Sequence, residues 1–157
     1  MNTTVHDQIY VAPAHTAGRT VEATGSVRRL TTLWWLLRLT FGLVPIVAGL
    51  DKFTNLLVNW ENYLNPAILQ MLPIGGRVLM GIVGVVEIVA GVIVLARPRL
   101  GGSIVMVWLF CIALSLVTSG KFLDVAVRDL VMAIGAYTLV SLTPVVERLR
   151  AAESERG

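Results

Sequence analysis

Apolar residues fall into four long blocks, at about 32–50, 77–96, 101–118 and 125–142, separated by short stretches where charge, proline and glycine collect. Each block is roughly 18 to 20 residues, enough to cross a hydrocarbon core of about 30 Å at 1.5 Å per residue. The pattern predicts an all-α, integral membrane four-helix bundle with an amphipathic interfacial segment between helices 1 and 2. The first block, Thr32 to Leu50, stops at Asp51-Lys52-Phe53 and carries a stripe of Arg38, Gly42, Pro45, Gly49 and Lys52. Those spacings of four, three, four and three put all five on one helix face. Lipid offers no partner to an arginine, so this face is predicted to turn toward other helices.

The segment from Asp51 to Gly76 is too polar to cross. Phe53, Leu56, Leu57, Trp60 and Leu64 recur at helical spacing among asparagines and Glu61 until Pro66 breaks the pattern. It reads as an interfacial segment anchored by Trp60 and Tyr63, with a lid over the helices as the other reading. The second block places Glu87 on a face with Gly81, Gly84 and Gly91 and ends at Arg97-Pro98-Arg99. The third carries Cys111, Ser115 and Thr118 without charge, and the fourth opens with Asp124, Arg128 and Asp129. Residues 1–28 show no sustained period and read as a flexible cytoplasmic tail in which Tyr10 and Pro13 are candidate partner contacts. Residues 29–144 form the membrane domain and 145–157 a cytoplasmic C-terminal tail.

Composition agrees with this division. The hydrophobic fraction is 55% and the mean hydropathy +0.75 over 157 residues. A net charge of +3, spread along the chain beside the apolar blocks, argues for topology determinants and against a nucleic-acid surface. The single cysteine, Cys111, allows no intrachain disulfide or thiolate cluster, and the only histidines are His6 and His15. No metal site is therefore expected, nor a bis-histidine haem within the bundle. Arginines gather at Arg19, Arg28, Arg29, Arg97, Arg99, Arg148, Arg150 and Arg156, so the positive-inside rule puts both termini and the 97–99 turn in the cytoplasm.

Two groups of charges are candidates for chemistry. Arg38 lies nine residues after Arg29, and Glu87 ten before Arg97, on antiparallel helices. Equal rise then places both about 14 Å from the same boundary, which predicts an Arg38–Glu87 pair. Such a pair serves as a proton-carrying site, as a polar floor for a quinone, or only to fix helix register. At the opposite boundary Asp51, Lys52, Arg77, Arg128 and Asp129 form a possible ligand-accepting mouth, and ordinary interfacial solvation is the alternative.

The run from Arg38 to Ala48-Gly49-Leu50-Asp51-Lys52-Phe53, the Gly84-x-x-Glu87-x-x-x-Gly91 pattern and Asp124 to Leu130 resemble the DoxX-like family of small four-helix bacterial membrane proteins. The resemblance spans about residues 30–142. It implies a multi-pass protein of the bacterial plasma membrane that acts as an accessory subunit of a redox or respiratory complex, associated with quinone or lipid. Such a subunit is not catalytic alone, and no catalytic residue is assigned. The residues leave open a small proton-coupled transporter using Glu87, or a purely structural membrane protein. Expected partners are the lipid bilayer and a larger membrane complex or a homo-oligomer.

Overall fold

The computed structural model describes residues 15–71 and 73–155, with side chains from residue 25 onward. The contacts expected at Tyr10 and Pro13 lie outside the described residues. Helix α1 spans His15–Thr54, a single 3₁₀ turn covers Trp60–Tyr63, and a short α2 covers Pro66–Met71. Then come α3 (Gly76–Ala96), α4 (Pro98–Ser119) and α5 (Leu123–Ser154). There is no strand among the described residues. The four long helices are long and apolar enough to cross a membrane, and they form the expected bundle. One end, here the terminal end, carries the two outermost helix ends and the α3–α4 turn. The other, the loop end, carries the 55–75 segment and the α4–α5 turn.

The helix limits follow local chemistry. Pro98 occupies the first turn of α4, where its missing N–H costs nothing, and α3 stops just before it. Gly120 ends α4 in the left-handed conformation at φ 67°, which a side chain would resist. At their distal ends α1 and α5 continue past the apolar blocks, α1 through Gly25 and α5 through Pro144, because a helix once nucleated adds residues readily. The segments read as tails are thus helical over 15–28 and 145–154. At ~1.5 Å per residue the 40 residues of α1 reach about 60 Å, twice the hydrocarbon thickness.

The predicted stripe of α1 packs on α3 through paired glycines. A methyl group on Gly49 would stand 2.5 Å from the Gly84 carbonyl oxygen, and one on Gly84 would stand 2.7 Å from that of Gly49. Seven residues along each helix a methyl group on Gly91 would likewise meet the Gly42 carbonyl oxygen, whereas one on Gly42 would meet the Leu95 side chain. Gly101 of α4 sits against the backbone of Ile93 and Val94, and Gly102 faces Val140 and Ala136 of α5. Trp34, Phe41, Val94, Val105, Leu139 and Val146 fill the centre. Leu36, Val47, Val85, Val107 and Val131 point outward and are more than half exposed. An isolated bundle that turns its aliphatic side chains outward is built to contact lipid.

Candidate functional site

The glycine pairs set the register of α1 against α3 and decide which charges meet. With Gly42 opposite Gly91 and Gly49 opposite Gly84, Arg38 stands level with Leu95. Glu87 then stands level with Ile46, about two turns or 12 Å away. The Arg38–Glu87 pair predicted from equal depth does not form. Arg29 and Arg97 mark different levels because α1 runs on beyond the turn. The side chains also diverge: each leans toward its own helix N-terminus, so Arg38 tilts to the terminal end and Glu87 to the loop end. Arg38 donates through Nε, at 3.1 Å, and through one terminal nitrogen to the Leu95 carbonyl.

Lys52 takes the place expected of Arg38. It leans back along α1 as Glu87 leans forward, and the ammonium lies 2.6 Å from the Glu87 carboxylate. Only 4% of the lysine side chain and 11% of the glutamate side chain are exposed. Across the bundle α5 supplies Asp129, 7% exposed, close enough to interact electrostatically with both. Its carboxylate accepts no hydrogen bond among the described residues. One cation is therefore buried with these two carboxylates, and Asp51, its neighbour in sequence, is a third buried carboxylate at the same helix end.

The 55–64 segment folds over this cluster. Asp51, also buried, accepts hydrogen bonds from the Thr54 hydroxyl (3.2 Å) and from the Leu56 and Leu57 backbone N–H groups (2.9 and 3.1 Å). Its second oxygen accepts from the Trp60 indole N–H at 2.7 Å. Asn55 turns the chain in the left-handed conformation that asparagine tolerates. These bonds hold the Trp60 ring over Lys52, with the ammonium 3.7 Å from the ring centroid. Tyr63 meets Phe122 with ring centroids 4.5 Å apart and planes tilted by 39°, and packs against Ala113, Leu116 and Ala126. Asn65 donates to the Ser115 carbonyl and the Thr118 hydroxyl, which ties the start of α2 to α4. Both predicted anchors thus turn onto the bundle and roof it.

The predicted mouth divides. Asp51, Lys52 and Asp129 come together beneath the roof and Glu87 joins them. Arg77 is exposed on the first turn of α3. Arg128 lies outside the cluster in a 3.8 Å pair with Asp124, both largely exposed. An apolar groove of about 260 Å³, lined by Leu43, Val44, Val47, Ala48, Leu57 and Trp60, runs along the lipid-facing side of α1 to the Trp60 ring. Among the described residues no group of histidine, cysteine and carboxylate side chains is placed to hold a metal ion.

A second cluster, at the terminal end, went unread in the sequence. Trp34 is buried and donates its indole N–H to the Thr143 hydroxyl at 2.9 Å. The guanidinium carbons of Arg38 and Arg150 lie 4.9 and 4.8 Å from the Trp34 centroid. Trp34-Trp35 followed by Arg38 at helical spacing was the available signal, but Arg150 needed the fold. Comparison of the chain with protein-family models, with curated proteins and with solved structures found no match.

Proposed function

We propose that the chain is a DoxX-like accessory subunit of a quinone-linked redox or respiratory complex in the bacterial plasma membrane. Its working site is the Lys52–Glu87–Asp129 cluster beneath Trp60. The observation that carries this reading is that one residue, Trp60, both lies over the Lys52 ammonium of the Lys52–Glu87 pair and lines an apolar groove on the outward side of α1. A quinone has an apolar tail and carbonyl acceptors, and its reduction consumes two electrons and two protons. The groove lining suits the tail. The Lys52 ammonium lies 3.7 Å from the centroid of the Trp60 ring that lines the groove. Glu87, Asp129 and the hydrogen-bonded Asp51 outnumber the one buried ammonium, and that excess of buried negative charge favours taking up a proton at the site. The chain's own residues would thus orient a headgroup and hold a proton, while electrons come from a partner subunit. The arginine excess at the terminal end supports placing both termini in the cytoplasm.

Gentle solubilisation from native membranes, with identification of every co-migrating protein and of extracted quinone, tests the assignment. A stoichiometric redox complex carrying quinone is expected. A lone chain with no quinone would overturn it. The same charge excess favours one other reading, a proton-coupled transporter whose carrier is Glu87 or Asp129. Uptake in vesicles that a Glu87→Gln, Asp129→Asn variant retained in full would exclude that reading.

A further inference from the structure

The terminal-end cluster has no part in that chemistry, and its charges are unbalanced. Arg38 and Arg150, from helices at opposite ends of the chain, both address the Trp34 ring. Trp35, 41% exposed, adds a second aromatic face at 4.8 Å from Arg38 and 5.8 Å from Arg150. No carboxylate lies within ion-pairing distance of either guanidinium among the described residues, where the ion pairs are Lys52–Glu87 and Arg128–Asp124. Glu147 and Glu153, the nearest acids along α5, are exposed and pair with neither. Arg38 spends its Nε and one terminal nitrogen on the Leu95 carbonyl, which leaves the other terminal nitrogen without an acceptor among the described residues. Arg97 and Arg99 stand exposed on the adjoining α3–α4 turn, and Arg28 and Arg29 line a shallow depression with Thr32 and Leu33 nearer the N-terminus.

Two cations held beside one ring repel each other, and in an apolar setting their free N–H groups need an acceptor. The indoles lie near the level of the α3–α4 turn, where a bilayer presents phosphates and where tryptophan concentrates. Exposed Leu33 and Leu36 flank the indoles and offer a path for acyl chains. We propose that Arg38 and Arg150, oriented by Trp34 and Trp35, bind the phosphodiester of an anionic phospholipid in the leaflet on the terminal side. Guanidinium forks match a phosphodiester in shape and charge, and the fixed indoles pre-orient them. The neighbouring arginines select a headgroup with net negative charge over a zwitterionic one.

The test is native mass spectrometry of the full chain released from detergent with phosphatidylglycerol, phosphatidylcholine or inorganic phosphate added. Phosphatidylglycerol adducts are expected to dominate phosphatidylcholine adducts, and an Arg38→Gln, Arg150→Gln double variant should weaken them about tenfold or more. Arg150→Gln alone, on an exposed position that leaves the Leu95 contact in place, should weaken them severalfold and guards against a folding defect. Brominated phosphatidylglycerol should quench tryptophan emission in the wild-type chain and less in Arg150→Gln. Arg77→Gln, at the loop end, should leave the adducts unchanged. Equal retention of the two lipids, or unchanged adducts in the double variant, would overturn the proposal. So would displacement of phosphatidylglycerol by inorganic phosphate, which would make the site one for free anions.

Discussion

A lysine ammonium 2.6 Å from a glutamate, with almost no exposed surface on either side chain, makes each charge tolerable only because of the other. Lys52→Met strands Glu87 in an apolar bundle and should destabilise the protein by about 3–5 kcal/mol, read as a lowered midpoint of unfolding in detergent. Lys52→Met combined with Glu87→Leu removes both charges and should recover most of that loss. If the double variant is no more stable than the single one, the pair is not what holds these helices together. Trp60 separates two further contributions. Trp60→Phe keeps a ring over Lys52 but loses the hydrogen bond to Asp51, a cost of about 1 kcal/mol, whereas Trp60→Ala also removes the roof and should increase solvent access to Lys52. The sequence identified every residue of this site except for the way they combine. Depth counted in residues treated Arg29 and Arg97 as one boundary and ignored the lean of side chains, so Glu87 was assigned to Arg38. A lysine six residues past the level of its partner was reachable because both side chains lean into the gap.

At the scale of helices, the contact between α1 and α3 depends on backbone meeting backbone. Gly49→Ala would push a methyl group to 2.5 Å from the Gly84 carbonyl, and that neighbour is backbone and cannot rotate away. The helices must separate there, at a cost of about 1–3 kcal/mol. Gly81→Ala is the control, since its methyl group would meet the Phe53 ring at an ordinary 3.7 Å and should be neutral or slightly stabilising. Equal losses in the two variants, measured by the same unfolding assay, would mean that close approach to the Gly84 backbone does not set the effect. Gly49→Ala should also shift Lys52 relative to Glu87, because the same face of α1 carries Gly49 and Lys52. The four apolar blocks and the inward stripe were legible because lipid imposes a continuous run of apolar residues on any span. The outer limits of α1 and α5 were not, because polar sequence continues a helix without announcing it.

For the molecule as a whole, four crossings put both helix ends and the α3–α4 turn on one side, whatever the side chains do. Which side that is depends on charge. Among residues with described side chains, the terminal end carries six arginines, Arg28, Arg29, Arg97, Arg99, Arg148 and Arg150, beside Glu147, Glu153 and Glu155, while the loop end has the three cations Lys121, Arg77 and Arg128 beside Glu61 and Asp124. The positive-inside rule turns that asymmetry into a direction. In a Cys111→Ser background, Asn62→Cys at the loop end and Arg99→Cys at the α3–α4 turn should react oppositely with a membrane-impermeant maleimide. Asn62→Cys is expected to label in intact cells, and Arg99→Cys only after lysis. The reverse pattern would place both termini outside and move the Arg38–Arg150 cluster to the outer leaflet. It would also put the Lys52–Glu87–Asp129 site near the cytoplasmic surface, so any proton taken up there would come from the cell interior. Orientation therefore fixes the side from which a proton at this site is exchanged, in either functional reading.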